Sequence, residues 1–299
     1  MEVRKRHLCA YLFFLIAGIA IGSQMEKILH MTFTNSREVV LSGPSHFSLS
    51  GKVYYPRRLP GTRHPGILFC HGTLPKGKDT RLYEILLQRL AKKGYLVLSF
   101  DVRGFGDSHK VSNFQIPRDL DFIADAEAAL DYMTDKLPID RENVTIAGHS
   151  LGGNLAFAVG AKSPKVKNIV CISPGNYDAP EQYSPRRKES YIRKLENAIG
   201  GDVTASSWNR LVRALNLFNY LPLDPEKNVY LILADGDWPD IIRYSERLFD
   251  RINTEKGLLI IPHSNHNFGT EYHEGNEVID QRPIIALARE IDGFLQSGQ

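Results

Sequence analysis

Cysteine is scarce in this chain: three residues in 299, at Cys9, Cys70 and Cys171. Cys9 lies in an apolar leader and cannot staple a mature domain, so a single disulfide is the most that could form. A strong charge of one sign is also lacking. The net charge of +3 is too small to imply nucleic-acid binding, and no concentrated basic stripe accompanies it. Repeats and low-complexity tracts are absent. With 42% hydrophobic and 24% charged residues, the composition excludes a disordered or collagen-like chain. The length suits a single large α/β domain.

Long apolar runs are missing but for one. In "MEVRKRHLCAYLFFLIAGIAIGSQ", Arg4, Lys5 and Arg6 precede an uncharged stretch from Leu8 to Gly22. That is short of the roughly 20 residues that span a bilayer and at the upper end for a signal-peptide core. Ala20 and Gly22 are small residues placed for cleavage before Ser23. Residues 1–22 therefore predict a cleaved signal or an N-terminal membrane anchor. Either leaves the basic residues cytoplasmic and exports the remainder, secreted, periplasmic or membrane-anchored.

What is present is a regular alternation. "REVVLSG" and "FSLSGKVYYP" read as two antiparallel strands. "GILFCHG", "YLVLSFDVRGFGDS", "NVTIAGHS", "NIVCISP", "NVYLILAD" and "GLLIIP" are unbroken apolar runs separated by helical patterns. The helices fall at about 80–93, 119–136, 151 onward, 241–251 and 282–296. Continuous apolar strands mark a mostly parallel central sheet with helices on both faces, an α/β architecture. The sequon at Asn143 falls on a buried strand and reads as chance.

One stretch breaks the rhythm. From about 176 to 224 no strand pattern occurs, only loop and two helical patterns around "ESYIRKLENAIG" and "SSWNRLVRALNLFNYL". An insertion this long between strands suggests a helical cap. Trp208 and Phe218, with Leu211, Leu215 and Tyr220, either line an apolar acyl pocket or pack the cap on the sheet. Its basic residues, Lys194 among them, either recruit an anion or membrane surface or form solvated helix faces.

The chemistry concentrates in "NVTIAGHSLGGNLAFAVG", where Ser150 stands at the joint between strand and helix. Glycines at 148 and 152 imply that strand and helix approach too closely for a Cβ. Gly-x-Ser-x-Gly in this context is a nucleophile elbow. It aims the Leu151 amide and the helix dipole at any negative charge formed beside Ser150. The longer glycine pattern and lysine of a phosphate-binding loop are missing.

With the elbow, the His-Gly pair at 71–72 and "DVRGFGDS", residues 38–297 resemble the α/β-hydrolase superfamily. The two-strand lead-in and "HPGILFCHG" look most like its dienelactone hydrolase and prolyl-oligopeptidase-like branches. The resemblance implies an oxyanion hole from the backbone N–H groups of Thr73 and Leu151. It also implies a triad in the order serine, acid, histidine. The run "DWPDIIRYSERL" matches the acid-to-helix segment, which points to Asp237. Asp235 is nearer the strand end and stays a competitor, whereas Asp240 suits a helix start. His266 sits where similar enzymes carry the base; His263 reads as structural and His273 as third choice. A metal site from His263, His266, His273 and Glu274 is disfavoured, because the spacing lies in a loop and cysteine ligands are absent. His71 and His149 belong to the motifs around them.

These residues predict a serine hydrolase, without cofactor or metal, that cleaves a small-molecule carboxylic ester, thioester or amide through an acyl-enzyme. A serine at the elbow argues against the superfamily's dehalogenases and epoxide hydrolases. The alternatives are a serine peptidase of the same fold and a catalytically silent scaffold used for binding. By resemblance, the strands carrying Cys70 and Cys171 flank the strand that delivers Ser150. Their backbones are then roughly 9 to 10 Å apart, beyond the about 7 Å a disulfide tolerates, so both thiols are expected free.

Overall fold

Apolar side chains alternate between two cores along each central strand, and that alternation organises the molecule. In the computed structural model the described residues are 35–44, 47–56, 63–108, 117–177, 184–273 and 276–297. The predicted leader at 1–22, Cys9 and Glu274 lie outside them. Among the described residues no helix is long and apolar enough to cross a membrane.

The strands are β1 (Asn35–Ser42), β2 (Ser48–Tyr55), β3 (His64–Cys70), β4 (Leu96–Phe100), β5 (Ile139–His149), β6 (Asn168–Ile172), β7 (Asn228–Gly236) and β8 (Glu255–Asn265). They form one eight-stranded sheet in the order β1-β2-β4-β3-β5-β6-β7-β8. The first two pair antiparallel, and β2 lies antiparallel to β4. From β4 across to β8 every pairing is parallel. The helices are α1 (Arg81–Lys92), α2 (Phe122–Lys136), α3 (Leu151–Lys162), α4 (Pro185–Ile199), α5 (Ala205–Ala214), α6 (Pro239–Arg251) and α7 (Gln281–Ser297).

On β3, Leu68 and Cys70 join the core beneath α2 and α3, while Ile67 and Phe69 join the core beneath α1 and α7. Ile169 and Cys171 divide from Val170 and Ile172 in the same way on β6. This is the period-two geometry of a strand, and both faces are apolar because both carry helices. Each such fully buried side chain contributes about 1.5–3 kcal/mol.

The register confirms the expected placing of the two thiols. Cys70 on β3 and Cys171 on β6 both pair with Gly148 of β5, one from each side. Both cysteines are free and fully buried. Burial pushes each thiol well above the ordinary cysteine range.

Residues 185–214 carry the two cap helices, α4 and α5. Helical pattern continues past Ala214 in the sequence, but the chain turns at Asn216. Its side chain accepts the Phe218 N–H and starts a 3-10 turn, Leu217–Tyr220. A hairpin the sequence pattern did not suggest, β9 (Thr270–His273) with β10 (Asn276–Ile279), follows the last sheet strand. His263 lies within β8 rather than after it.

Candidate active site

Ser150 is held at the joint of β5 and α3 with φ 54° and ψ −121°. Such a backbone is strained for a residue with a Cβ, and it persists because the surroundings leave no alternative. The Ser150 N–H donates to the Ile172 carbonyl at 2.9 Å, and the Ser150 carbonyl accepts from Gly153 at 2.9 Å. A Cβ on Gly148 would lie 2.1 Å from the Gly152 carbonyl oxygen, and one on Gly152 would lie 2.0 Å from that of Cys70. Both flanking glycines are therefore dictated by helix α3 pressing on strands β5 and β3.

Three loops at the carboxyl ends of parallel strands bring the predicted residues together. Ser150 Oγ lies 3.1 Å from His266 Nε2, and His266 Nδ1 lies 2.7 Å from Asp237 Oδ1. A carboxylate can only accept, so Nδ1 carries the proton and Nε2 is left to accept from the serine. Burial works against charge on Asp237, but the His266 hydrogen bond and charge outweigh it and hold the carboxyl below its ordinary range.

Asp235 does different work. It is exposed, and its carboxylate accepts the backbone N–H groups of Ser264 (2.9 Å) and His263 (2.7 Å). Those two bonds lower its pKa and fasten the end of β8. His266 reaches Asp237 and not Asp235. Asp240 stands in the first turn of α6 behind Pro239, where it complements the helix dipole. His263 keeps φ 53° on β8, and His273 is on β9.

Thr73 and Leu151, the predicted oxyanion pair, line the same cavity as Ser150. Leu151 opens α3, where the first amides of a helix have no intrahelical partner. Thr73 follows the His71-Gly72 turn, and neither amide has a protein partner among the described residues. His71 shapes that turn: its Nδ1–H donates to the Gly72 carbonyl and Nε2 accepts from Val102 N–H. Burial lowers its pKa, so it remains the neutral imidazole that this pattern requires. Beside it, Lys78 Nζ is fully buried within 2.6 Å of Asp79 and 3.2 Å of both Asp101 and Asp107. That acidic trio already holds a cation, the lysine ammonium.

A cavity of about 150 Å³ opens over Ser150 and His266. Tyr177, Tyr191, Leu195, Trp208 and Leu211 wall its cap side, and Trp238 and Ile241 its far side. Tyr191 and Trp208 stack at 6.1 Å. Phe218, read from the sequence as a second pocket residue, is not among the lining. The turn at Asn216 swings it to α6, where its ring packs edge-on against Tyr244 at 5.4 Å. Sequence reasoning missed Tyr177, Tyr191, Leu195 and Ile241, and missed Trp238, which stands nearest the imidazole. It is half exposed, and its ring lies 4.5 Å from the His266 imidazole. Its position directly after Asp237 was the available signal. Lys194 stands at the rim, 5.2 Å above the Trp238 ring.

Known proteins share this arrangement of chain. A model of the family described as serine aminopeptidase, S33 matches residues 62–210. An uncharacterized 31.7 kDa protein from the traX-finO intergenic region of Escherichia coli is 29% identical over 182 residues, 60% of each chain. The 2-hydroxy-6-oxononadienedioate/2-hydroxy-6-oxononatrienedioate hydrolase of Cupriavidus pinatubonensis is 28% identical over 154 residues, 52% of this chain and 49% of that one. The chain thus spans 60% or less of the length of these curated relatives. Among solved structures, Est1E from Butyrivibrio proteoclasticus with ferulic acid bound superposes with a TM-score of 0.64 at 15% identity, covering 87% of this chain and 99% of that one. An esterase of Pyrobaculum calidifontis gives 0.58 at 21% identity, covering 88% and 85%. Likeness at such identities speaks for the fold, and sheet order and the family match over residues 62–210 agree with it: the chain has the α/β-hydrolase fold.

Proposed function

We propose that this protein is a serine hydrolase that cleaves carboxylic esters with a short or aromatic acyl group. The observation that carries the reading is the continuous proton path, Ser150 to His266 at 3.1 Å and His266 to Asp237 at 2.7 Å. Serine is a poor nucleophile until a base takes its proton. In the reaction, Ser150 Oγ attacks the ester carbonyl carbon as its proton passes to His266 Nε2. The oxyanion faces the Thr73 and Leu151 N–H groups. Collapse breaks the bond to the alcohol, which leaves with the proton from His266, and an acyl-Ser150 ester remains. Water then enters, gives a proton to His266 and attacks the acyl carbon. The acid departs, and Ser150 recovers its proton. Asp237 holds the imidazole in the required tautomer and stabilises its transient positive charge.

Cavity size supports the substrate class. A space of about 150 Å³ takes a group the size of benzene, and Tyr177, Tyr191, Trp208 and Trp238 give its walls four aromatic side chains. The family description favours a second reading, an aminopeptidase. That activity needs a carboxylate to receive the substrate's α-ammonium group. Among the described residues, none lining the cavity is acidic, and the one charged side chain there is the cation Lys194. Ester cleavage fits this lining better.

A fluorophosphonate probe tests the reading. Labelling of the wild-type protein that vanishes in Ser150→Ala is the expected result. Folded protein that does not label would make it a silent scaffold. A panel of p-nitrophenyl esters and amino-acid p-nitroanilides then separates esterase from peptidase. Export through residues 1–22 is a separate proposal, checked by locating the protein in cell fractions and sequencing its N-terminus. Full-length protein in the cytosol would oppose it.

A further inference from the structure

Besides the proton path, a second hydrogen-bond chain runs behind the site. Gly72 N–H donates to the Tyr83 phenol oxygen at 2.9 Å. The phenol oxygen is 2.9 Å from His149 Nδ1. His149 Nε2 is 2.7 Å from the backbone carbonyl of His266. Both ends of this chain have fixed polarity. The amide of Gly72 can only donate and the carbonyl of His266 can only accept. Tyr83 O–H must therefore donate to Nδ1, and Nε2–H must donate to the carbonyl.

The groups joined are those whose relative positions matter. Gly72 precedes Thr73, His149 precedes Ser150, and the carbonyl belongs to His266 itself. They come from the ends of β3, β5 and β8, and Tyr83 from α1. Of these, β8 is the edge strand of the sheet, with no strand beyond it among the described residues to hold the loop that follows. That loop turns tightly, Phe268 N–H to Asn265 carbonyl at 2.8 Å, with φ 48° at Phe268. Behind it, the Phe268 ring packs edge-on against His149 at 6.0 Å, and the His149 and His266 rings lie 4.9 Å apart. Tyr83 and His149 are fully or almost fully buried.

We propose that Tyr83 and His149 are positioning residues that lock the base loop and the oxyanion loop to the nucleophile in one register. The inference rests on the serine-hydrolase reading above. Misplacing a reacting group by about 1 Å can cost on the order of 100-fold in rate, and this chain opposes that slip. Burial, and then the neighbouring His266, lowers the His149 pKa to about 3. The polarity of the chain therefore stays constant while His266 cycles through its proton.

The experiment compares Tyr83→Phe, His149→Leu and His149→Gln in the full chain. Gln keeps an N–H near the Nε2 position, and Leu keeps only volume. The expected result is kcat lowered about tenfold or more in Tyr83→Phe and His149→Leu, with KM within about twofold, and kcat largely restored in His149→Gln. Folded variants with wild-type kcat would overturn the proposal, as would a Gln variant as slow as Leu. Should His149→Leu fail to fold, the near-isosteric Tyr83→Phe decides. The nitrogen-15 shifts of His149 give a readout independent of turnover. The Nε2–H tautomer at pH 7, with an Nδ1 shift that moves in Tyr83→Phe as its donor is lost, supports the chain, and the Nδ1–H tautomer overturns it. Wild-type protein that shows the expected tautomer yet hydrolyses no ester would fault the function and leave the chain standing.

Discussion

The elbow beneath Ser150 and the cap above it are built on different terms. Beneath, position is fixed by backbone. Gly148 pairs with Cys70 on one side and Cys171 on the other, α3 rests on the strands without room for a Cβ, and polar contacts with one allowed polarity fix the side chains. Above, position is fixed by packing. Helices α4 and α5 turn amphipathic faces inward and meet through stacked Tyr191 and Trp208. Even their connecting glycine, Gly200, has nothing within 4 Å of where a Cβ would sit. Reaction chemistry needs sub-ångström constancy, and the sheet supplies it. On the proposed function, discrimination among acyl groups needs only shape, and packed side chains supply that while tolerating change.

The two acids after β7 test the lower region most sharply. Asp237→Asn should lower kcat by about 10⁴-fold, because His266 then loses the partner that fixes its tautomer. Asp235→Asn should leave kcat within about threefold and lower stability only slightly, by weakening the clamp on His263 and Ser264. Steady-state kinetics and urea melts on both variants read this out. Equal kinetic losses would mean the base depends on the whole end of β8 rather than on one carboxylate.

A pair of glycine substitutions breaks the comparison if it is wrong. Gly148→Ala forces a Cβ onto the Gly152 carbonyl and should cost about 3 kcal/mol or more. Gly200→Ala meets open space and should cost only the about 1–2 kcal/mol of its positive φ. Similar costs in chemical denaturation would deny that the elbow is the tighter region.

Acid should affect the two regions unequally. His149 has its pKa lowered from 6.5 to about 3, so between those values the unfolded chain binds a proton that the native one refuses. Stability therefore falls as pH drops below 6.5, by about 3 kcal/mol at pH 4. Asp237 adds nothing across that window, since a depressed carboxyl loses its contribution only below its ordinary value of 3.8. The cap sequence, residues 176–224, contains no histidine. Urea midpoints at pH 7 and pH 4 should show the loss, and His149→Gln should flatten part of it, with His71 retaining the rest.

The smallest effects belong to the cap. Trp208→Ala and Tyr191→Ala should enlarge the cavity and shift preference toward longer or bulkier acyl esters by about tenfold in kcat/KM. Phe218→Ala should cost stability without altering preference, because its ring meets Tyr244 instead of the cavity. A preference change in Phe218→Ala would mean the cap moves over the site during turnover.

Local pattern was enough for much of this. Apolar runs bounded by Gly and Pro located the sheet strands. The glycines around Ser150 announced the elbow, because a backbone collision restricts residue type at a definite spacing. His266 was legible through the resemblance, as the histidine a few residues past the last apolar strand. The β9–β10 hairpin was not, since a four-residue strand carries too little periodicity to read. Phe218 misled because helical pattern persists past Ala214, while the cap on Phe218 N–H by Asn216 is visible only when the turn has formed.

The order of the chain, the α/β layering and the glycine-flanked elbow carrying Ser150 were determined by the sequence itself, since periodicity and residue size act over a few positions, while the two candidate acids came with the resemblance. Which acid meets the base, where Trp238 and Phe218 point, and how Tyr83 joins His149 were decided only by the tertiary structure. Those contacts join groups 29, 66 and 117 residues apart. The register of parallel strands, which no local pattern encodes, sets the distance between them.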